Sequence, residues 1–414
     1  MLITLPINEL KPGMYIERVS RQAQGASIKI KTRGMVREPA IIERLAKEGV
    51  QELIIDFAQS DVSIPKHLIP AKPSAHKPVN GASQSVRTDR PKLGERDFVL
   101  APLEQEFLIA STCYDQSLGK IRAMYHDLTS GMQVNMSLLS DIADAIVDSV
   151  FRNPDAMAAL TLLRDQSSYT WRHMLNCAIL CAIFARYLGY EINKVRQMAL
   201  AALLHDIGLA KVPQGILSKP GKLTDIEVKA VRKHVALGLG MLKGQKHITS
   251  MMLEMVVNHH ERLDGSGYPR GISADKLSRE ARVLSIVDVY AAMIADKPYK
   301  KGEDPISALR YLLSQRELFD QALVQRFIKC VGIHPVGTLV QLTNERLAMV
   351  IQGNEDNPIK PKVRVFYNTM HRHHITTKDI DLSLNKDEIK IVASTDGSQF
   401  DLNLARLLKE HLLP

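Results

Sequence analysis

Residues from about 98 to 331 carry the most constraining pattern in this chain, a series of apolar stretches with helical spacing. Apolar residues recur there at intervals of three and four, and strand-like alternation is scarce. Prolines and glycines separate the stretches, with breaks at Pro154, Gly189, Pro213 and Pro305. The pattern therefore predicts an all-α domain over 98–331. The predicted helices lie near 101–125, 134–152, 154–164, 168–188, 191–206, 224–243, 248–261, 275–296, 304–315 and 318–330.

Two helix starts in this domain have side chains that are typical of N-caps. Thr224 is followed three residues later by Glu227, which predicts a capping box. Ser273 is predicted to cap the 275–296 helix. Gly208, after the 191–206 helix, allows a left-handed helix stop.

The chain has 414 residues, which is too many for one ordinary hydrophobic core, so several domains are expected. The segments on either side of the helical region differ from it in composition. Residues 1–60 alternate short apolar runs with turns, which predicts a small α/β module with an accessory or regulatory role. Residues 61–97 are rich in proline and basic residues, which is typical of a linker. Residues 332–414 predict a small β-rich region with strands near 336–342, 347–351 and 363–366 and a final helix over 402–413. The predicted architecture is multidomain, with an all-α core between an α/β module and a β-rich appendage.

The formal net charge of +9 favours acidic partners such as nucleotides, although an ordinary solvated surface explains it equally well. Direct nucleic-acid binding is not expected. The four cysteines form no disulfide framework, and Cys177 and Cys181 are predicted to pack in the core. No signal peptide or stretch of about 20 apolar residues is present, so we expect a cytoplasmic protein without membrane association.

Histidine and aspartate occur at five points of the predicted helical domain where burial makes them costly. Asp288 is surrounded by apolar residues in Val283–Ile294, and a buried carboxylate requires a cation, a paired base or protonation. Imidazole nitrogen and carboxylate oxygen together suit Mn, Fe or Zn. The set predicts a pair of divalent metals with Asp206 as the bridging carboxylate. The proposed ligands are His173, His205, Asp206, His234, His259, His260 and Asp288.

Simpler interpretations exist for individual members of this set. A lone histidine such as His173 is more often a hydrogen-bonded core residue, and His234 alone is compatible with a surface position. The cluster of His371, His373 and His374 is predicted to be solvated in a polar loop. The shared helical domain and the glycine-rich loop after His260 are what favour a metal site.

The motifs in this domain resemble a known family. His205–Asp206 is the doublet of the HD superfamily of metal-dependent phosphohydrolases, and the residues from His259 to Pro269 resemble the HHExxDGxGYP signature of its HD-GYP subfamily. The segments 219–224 and 297–300 resemble the family pattern in the same order. The N-terminal run from Leu10 to Tyr15 resembles a domain of unknown function that often precedes HD-GYP domains in bacteria.

The resemblance implies a phosphodiesterase that hydrolyses cyclic di-GMP to the linear dinucleotide pGpG and on to GMP, in bacterial signalling that controls biofilm formation and motility. It implies two divalent ions, Fe or Mn first and Mg, Zn, Co or Ni as alternatives, with His205 and Asp206 as catalytic residues. The substrate-binding residues that it implies are Lys297, Lys300, Gly267 and Tyr268. The GYP loop is expected to contact a diguanylate cyclase or another signalling protein, and a homodimer is one expected assembly.

Two positions depart from the family pattern. Leu209 stands where HD-GYP proteins commonly have a lysine, and Lys211 is the nearest substitute. Tyr169 stands four residues before His173, where some members carry an additional carboxylate ligand, which favours two metals over three. The alternatives are a module that binds cyclic di-GMP or protein partners without turnover, and hydrolysis of another nucleotide.

Overall fold

The computed structural model describes residues 2–22, 34–47, 49–56, 60, 62, 100–163, 169–297, 300–354, 357–384 and 389–412. The chain divides into two compact units, Met1–Arg90 and Pro91–Pro414. Most of the predicted linker over 61–97 lies outside the described residues.

In its described residues, the first unit has a four-stranded antiparallel sheet and one α-helix. Its elements are β1 (Leu2–Pro6), β2 (Tyr15–Gln22), β3 (Gly34–Met35), α1 (Pro39–Lys47) and β4 (Val50–Asp56). The strands are ordered β1-β4-β2-β3. Leu5, Ile16, Leu45, Leu53 and Ile55 form a small core of their own.

The second unit begins with helices, as the sequence predicts. These are α2 (Leu103–Thr129), α3 (Met136–Arg152), α4 (Pro154–Leu160), α5 (Tyr169–Tyr187), α6 (Ile192–Leu204), α7 (Gln214–Leu217), α8 (Asp225–Arg232), α9 (His234–Leu242), α10 (Ser250–Asn258), α11 (Arg279–Ile294), α12 (Pro305–Ser314) and α13 (Gln321–Val331). The predicted helical core is confirmed.

Helix α5 occupies the centre of this core. Every residue from His173 to Ala185 is buried, because a helix that is apolar on all faces must be covered on all faces. It packs against α6 and α11, and α11 buries the run Val283–Asp288. These central helices carry two of the polar residues singled out by the sequence, His173 and Asp288, into an apolar interior.

Two helix boundaries differ from the predicted ones in ways that shape the site. The predicted 191–206 helix ends at Leu204, and a 3-10 helix over Ile207–Lys211 follows. Gly208 does not take a positive φ, so the left-handed stop that this glycine would allow is not used. The predicted 224–243 helix is divided at Lys233, which makes His234 the first residue of α9.

The C-terminal region is a five-stranded antiparallel sheet followed by a helix, which confirms the predicted β-rich region. Its elements are β5 (Leu339–Leu342), β6 (Arg346–Gln352), β7 (Lys362–Asn368), β8 (His373–Asp381), β9 (Ile391–Thr395) and α14 (Leu404–Leu412). The strands are ordered β8-β7-β6-β5-β9. The sheet shares the hydrophobic core of the helices, and an added Cβ at Gly337 would meet Ala159 and Leu408 at 3.0–3.2 Å.

The two edge strands of this sheet, β8 and β9, escaped the sequence analysis. His373 and His374 begin β8 rather than lying in a loop, although they are exposed as predicted. The strand is exposed along most of its length, so it lacks the apolar alternation by which a strand is recognised.

Helix α8 starts with the predicted capping box. The Thr224 hydroxyl accepts from the Glu227 backbone N–H, and the Glu227 carboxylate accepts from the Thr224 backbone N–H at 2.7 Å. The predicted cap at Ser273 is wrong, because α11 begins at Arg279 and Ser278 caps it. The residues after Ser273 form a separate 3-10 turn.

Replacement of Glu227 by glutamine is expected to destabilise the protein at neutral pH but not in strong acid. Hydrogen bonds from Lys219 and Thr224 lower the pKa of Glu227 from 4.5 to about 2. Because the folded-state pKa is the lower one, the contribution is complete above pH 4.5 and is lost as the pH falls from 4.5 towards 2. Urea unfolding of wild type and variant at a series of pH values measures the difference, which must shrink with acidification. Asp225→Asn, one residue into the same helix, is the control, and a pH-independent difference would contradict the assignment.

Candidate metal centre

Six of the seven predicted metal ligands are buried, and the ends of several helices deliver them to one place. His205 and His259 directly follow α6 and α10 as their C-caps, and His234 begins α9. His173 and Asp288 project from within α5 and α11. Each is at most 8% exposed, as is Asp206, while the side chain of His260 is 20% exposed. The interpretation of His234 as a surface residue is thus excluded.

Three of the histidines are oriented by the backbone of the preceding turn. In each, Nδ1 lies within hydrogen-bonding distance of the carbonyl oxygen three residues earlier. The pairs are His205 with Ala202 at 2.6 Å, His234 with Val231 at 2.8 Å and His259 with Val256 at 2.7 Å. A proton on Nδ1 leaves Nε2 as a lone-pair donor toward the centre, which is how metal-binding histidines are commonly held.

The carboxylate of Asp206 faces two histidine pairs with its two oxygens. Oδ2 lies 3.3 Å from His205 Nε2 and 3.8 Å from His173 Nε2. Oδ1 lies 3.2 Å from His234 Nε2 and 3.8 Å from His259 Nε2. This division between two groups of donors is the arrangement that a bridging carboxylate requires.

Asp288 closes the centre from the opposite helix. Its Oδ1 lies 3.0 Å from His173 Nε2 and 3.6 Å from His205 Nε2, and its Oδ2 lies 3.6 Å from His260 Nδ1. Burial alone would raise the pKa of Asp288, but His173 and His205 outweigh it and hold that pKa well below the usual value. The group is therefore an anion, and it is ready to bind a cation.

The donor atoms fall into two groups, in each of which they lie within 4.8 Å of one another. One group contains His173, Cys177, His205 and Asp288, and the other contains Asp206, His234, His259 and His260. His205 Nε2 is buried and has no hydrogen-bond partner among the described residues, which is costly unless a cation accepts its lone pair. Imidazole and carboxylate donors in two adjoining groups fit divalent metal ions.

Cys177 is a neighbour of this centre that the metal analysis of the sequence did not include. Its Sγ lies 3.6 Å from Nε2 and 3.8 Å from Nδ1 of His173. These nearly equal distances place the sulfur against the imidazole ring, and burial raises the pKa of the thiol well above its usual value. A packing role under His173 fits this geometry. The four-residue spacing from His173 is the signal that identifies the contact.

The glycine-rich loop after His260 is fixed to the centre by stacking and by a buried acid. The Tyr268 ring stacks on His260 with centroids 4.6 Å apart. Gly267 packs directly on the preceding chain, since an added Cβ would lie 2.4 Å from Glu261 Cα. Glu261 is buried and accepts from the backbone N–H of Arg270 at 2.8 Å and of Ile272 at 3.2 Å. Sequence reasoning assigned no role to Glu261, which closes the loop.

The basic residues implied by the resemblance have different surroundings. Lys297 Nζ lies 5.7 Å from the centroid of Tyr169, whose ring stacks on His173 at 5.6 Å. Lys300 is exposed and pairs with Glu303 at 2.7 Å. Lys211 donates to the backbone oxygen of Leu128 at 3.1 Å, so its ammonium is bound to the end of α2 and does not substitute for a lysine at position 209.

Three family models match successive parts of the chain. Family models match residues 2–138 (Domain of unknown function, DUF3391), 156–323 (HD domain) and 339–402 (KOW domain associated with HD domain). The chain is 31% identical over 382 residues to the cyclic di-GMP phosphodiesterase PA4108 of Pseudomonas aeruginosa, covering 92% of this chain and 89% of that protein. The chain belongs to the HD-GYP family of cyclic-dinucleotide phosphodiesterases.

Other relatives align with a smaller part of this chain. The cyclic di-GMP phosphodiesterase response regulator RpfG of Xanthomonas campestris is 37% identical over 36% of this chain and 39% of its own length. The 3'3'-cGAMP-specific phosphodiesterase 1 of Vibrio cholerae is 36% identical over 35% of this chain and 33% of its own. Among solved structures, the HDG"Y"P protein Bd1817 of Bdellovibrio bacteriovorus covers 79% of this chain and 98% of its own, with 14% identity and a TM-score of 0.45.

In the part of the chain that the structure describes, no helix has the length and apolarity to cross a bilayer.

Proposed function

We propose that this protein hydrolyses cyclic di-GMP to pGpG, and pGpG further to GMP, in bacterial second-messenger signalling. The observation that carries the proposal is the pair of donor groups that share Asp206. The similarity of nearly the whole chain to a named cyclic di-GMP phosphodiesterase supports the choice of substrate.

Two divalent ions, Fe or Mn, are proposed to occupy the two groups. The first group would use His173, His205 and Asp288, the second would use His234, His259 and His260, and Asp206 would serve both. Such ions supply Lewis acidity toward a phosphodiester and a more acidic bound water. Burial and His259 lower the pKa of His260 well below its usual value, so this imidazole stays neutral and can donate a lone pair to an ion.

The remaining residues are proposed to receive the substrate. Lys297 lies over the ring of Tyr169, which in turn stacks on His173 of the first group. Its ammonium, on a half-buried residue, is suited to bind a phosphate oxygen. Tyr268 offers a ring edge beside His260, and Gly267 holds that ring in place by packing on the Glu261 backbone. Lys300, exposed next to Lys297 through an antiparallel bridge, is proposed as a second basic contact. Contact of the loop with a diguanylate cyclase and homodimer formation stay predictions.

Removal of the metal is expected to abolish turnover. Protein reloaded with Mn²⁺, or with Fe²⁺ under anaerobic conditions, should convert cyclic di-GMP to pGpG or GMP, measured by chromatography. Chelation should lower the rate by at least about 1000-fold, since the ions contribute several kcal/mol of transition-state stabilisation. Chelation should also lower the melting temperature, because the ligands bind ions only in the folded state.

The same assay with 3',3'-cGAMP tests the substrate, since three relatives from Vibrio cholerae are named for that dinucleotide. Preference for it over cyclic di-GMP by metal-loaded protein would overturn the proposed substrate. A metal-loaded protein that binds cyclic di-GMP without forming product would favour the binding-module alternative. Full activity of a variant combining His205→Ala and Asp206→Ala would overturn the metal assignment.

A further inference from the structure

Arg232 is separated from the candidate metal centre by a single aromatic ring, that of Tyr268. It ends α8, two residues before His234. Its guanidinium carbon is 4.7 Å from the centroid of the Tyr268 ring, and that ring stacks on His260 with a centroid distance of 4.6 Å and an interplanar angle of 29°. The cation therefore stands beside the second donor group, at the loop that faces the site.

Arg232 is exposed, and its guanidinium N–H groups are available to a ligand. Among the described residues it has neither a hydrogen-bond acceptor nor a carboxylate partner. The neighbouring arginines of the loop are already used, since Arg262 donates to Ser285 Oγ at 2.8 Å and Arg270 donates to Asn258 Oδ1 at 2.8 Å. A guanidinium stacked on a ring keeps its edge N–H groups available, and their planar arrangement matches a phosphate.

A second stack of the same kind stands on the other side of Asp288. There Lys297 lies over Tyr169, which stacks on His173. His173 approaches Asp288 Oδ1 at 3.0 Å, whereas His260 approaches Oδ2 at 3.6 Å. One cation therefore adjoins each end of the centre, an ammonium at the first group and a guanidinium at the second.

A cyclic dinucleotide carries two phosphodiesters, and the metal centre can hold only one of them at a time for cleavage. The other keeps its negative charge and loses water on binding, which is costly without donors. The segment after Asp206 has no lysine to offer, because Leu209 is apolar and Lys211 is bound to Leu128. We propose that Arg232 binds the second, uncleaved phosphodiester. This inference rests on the proposed function and adds a specificity determinant for substrates with two phosphodiesters.

The test uses bis(p-nitrophenyl) phosphate, a chromogenic substrate with a single phosphodiester, and cyclic di-GMP as its inhibitor. We expect the inhibition constant of cyclic di-GMP to rise about 10- to 100-fold in Arg232→Ala, the range for loss of a hydrogen-bonded charge. The ratio of kcat/KM for cyclic di-GMP to that for the chromogenic substrate should fall by a similar factor. Metal content is measured in each variant.

Two further variants separate the charge from the stacking. Arg232→Gln keeps a planar group over Tyr268 without charge and should bind as poorly as Arg232→Ala, while Arg232→Lys should recover part of the affinity. Lys229→Ala, an exposed cation one turn earlier on α8, should leave the inhibition constant unchanged. An inhibition constant in Arg232→Gln equal to that of wild type would overturn the proposal, as would an equal loss with both substrates. The inhibition constant is measurable even if cyclic di-GMP is not turned over, so failure of the proposed function is seen separately.

Discussion

Replacement of Asp206 by asparagine is expected to empty both metal positions. Its two oxygens face different histidine pairs, Oδ2 toward His205 at 3.3 Å and Oδ1 toward His234 at 3.2 Å. An amide cannot supply two anionic oxygens, so each donor group loses its shared anion. Phosphodiesterase activity should fall by at least about 1000-fold, or about 4 kcal/mol of transition-state stabilisation. Elemental analysis of the purified variant measures the ions, and product formation measures the rate.

Asp288→Asn is the matched comparison for that variant. Asp288 belongs to the first donor group with His173 and His205, so this variant should lose the first ion in preference to the second and retain about one ion per chain. Asp225→Asn, at the exposed start of α8, should retain both ions. Two ions in the Asp206 variant would contradict the bridging role. Equal depletion in Asp206→Asn and Asp288→Asn would show instead that the two positions fill together.

Replacement of Gly208 by alanine should produce the second large effect, on stability as well as on the site. A Cβ at this position would lie 1.9 Å from the backbone oxygen of His234 and 2.5 Å from the backbone nitrogen of Gly238. Both are backbone atoms of α9, so the whole helix would have to move away from His205 and Asp206. The free energy of unfolding should fall by about 3 kcal/mol, the upper part of the range for overpacking. Urea denaturation measures the stability, and metal content should fall with it because His234 moves.

Gly240→Ala provides the control in the same helix. An added Cβ there meets nothing within 4 Å, and the residue is exposed in α9. Alanine should raise the stability by about 0.5–1 kcal/mol, because glycine loses more backbone entropy in a helix. A Gly208→Ala protein as stable as wild type would show that α9 can yield at no cost. Similar destabilisation by both substitutions would point to a general effect on α9 rather than to the contact with Gly208.

Helix existence could be predicted from the sequence much better than helix ends. The recurrence of apolar residues identified α5, α6 and α11, because these helices are buried in the core and contain few polar residues. The division between α8 and α9 and the 3-10 helix at Ile207–Lys211 were missed, because they depend on contacts with other elements. His234 bonds the Val231 carbonyl at the division, and Gly208 lies against α9. Neither contact has a local signal.

The candidate metal ligands could be proposed from the sequence because a buried aspartate or histidine in an apolar helix needs an explanation, and because the motif places them in a known order. Their pairing could not be. The pairing depends on how α5, α6, α9 and α10 meet. Their packing turns one oxygen of Asp206 toward His173 and His205 and the other toward His234 and His259. The position of Cys177 against His173 depends on the packing in the same way. The sequence offered Lys211 as the nearest substitute for a lysine at position 209, and the resemblance implied that Lys297 binds substrate. The structure instead binds Lys211 to the Leu128 carbonyl and places Lys297 beside Tyr169.

By itself, the sequence determined the helical core, the β-rich region after it, the candidate ligands and the resemblance to HD-GYP phosphodiesterases, because all of these follow from residue type and local spacing. Only the tertiary structure decided which carboxylate oxygen faces which histidine, that Glu261 closes the loop and that Arg232 stands unpaired over Tyr268. These are contacts between elements distant in the chain. Their geometry is set by the packing of whole helices, which no local pattern encodes.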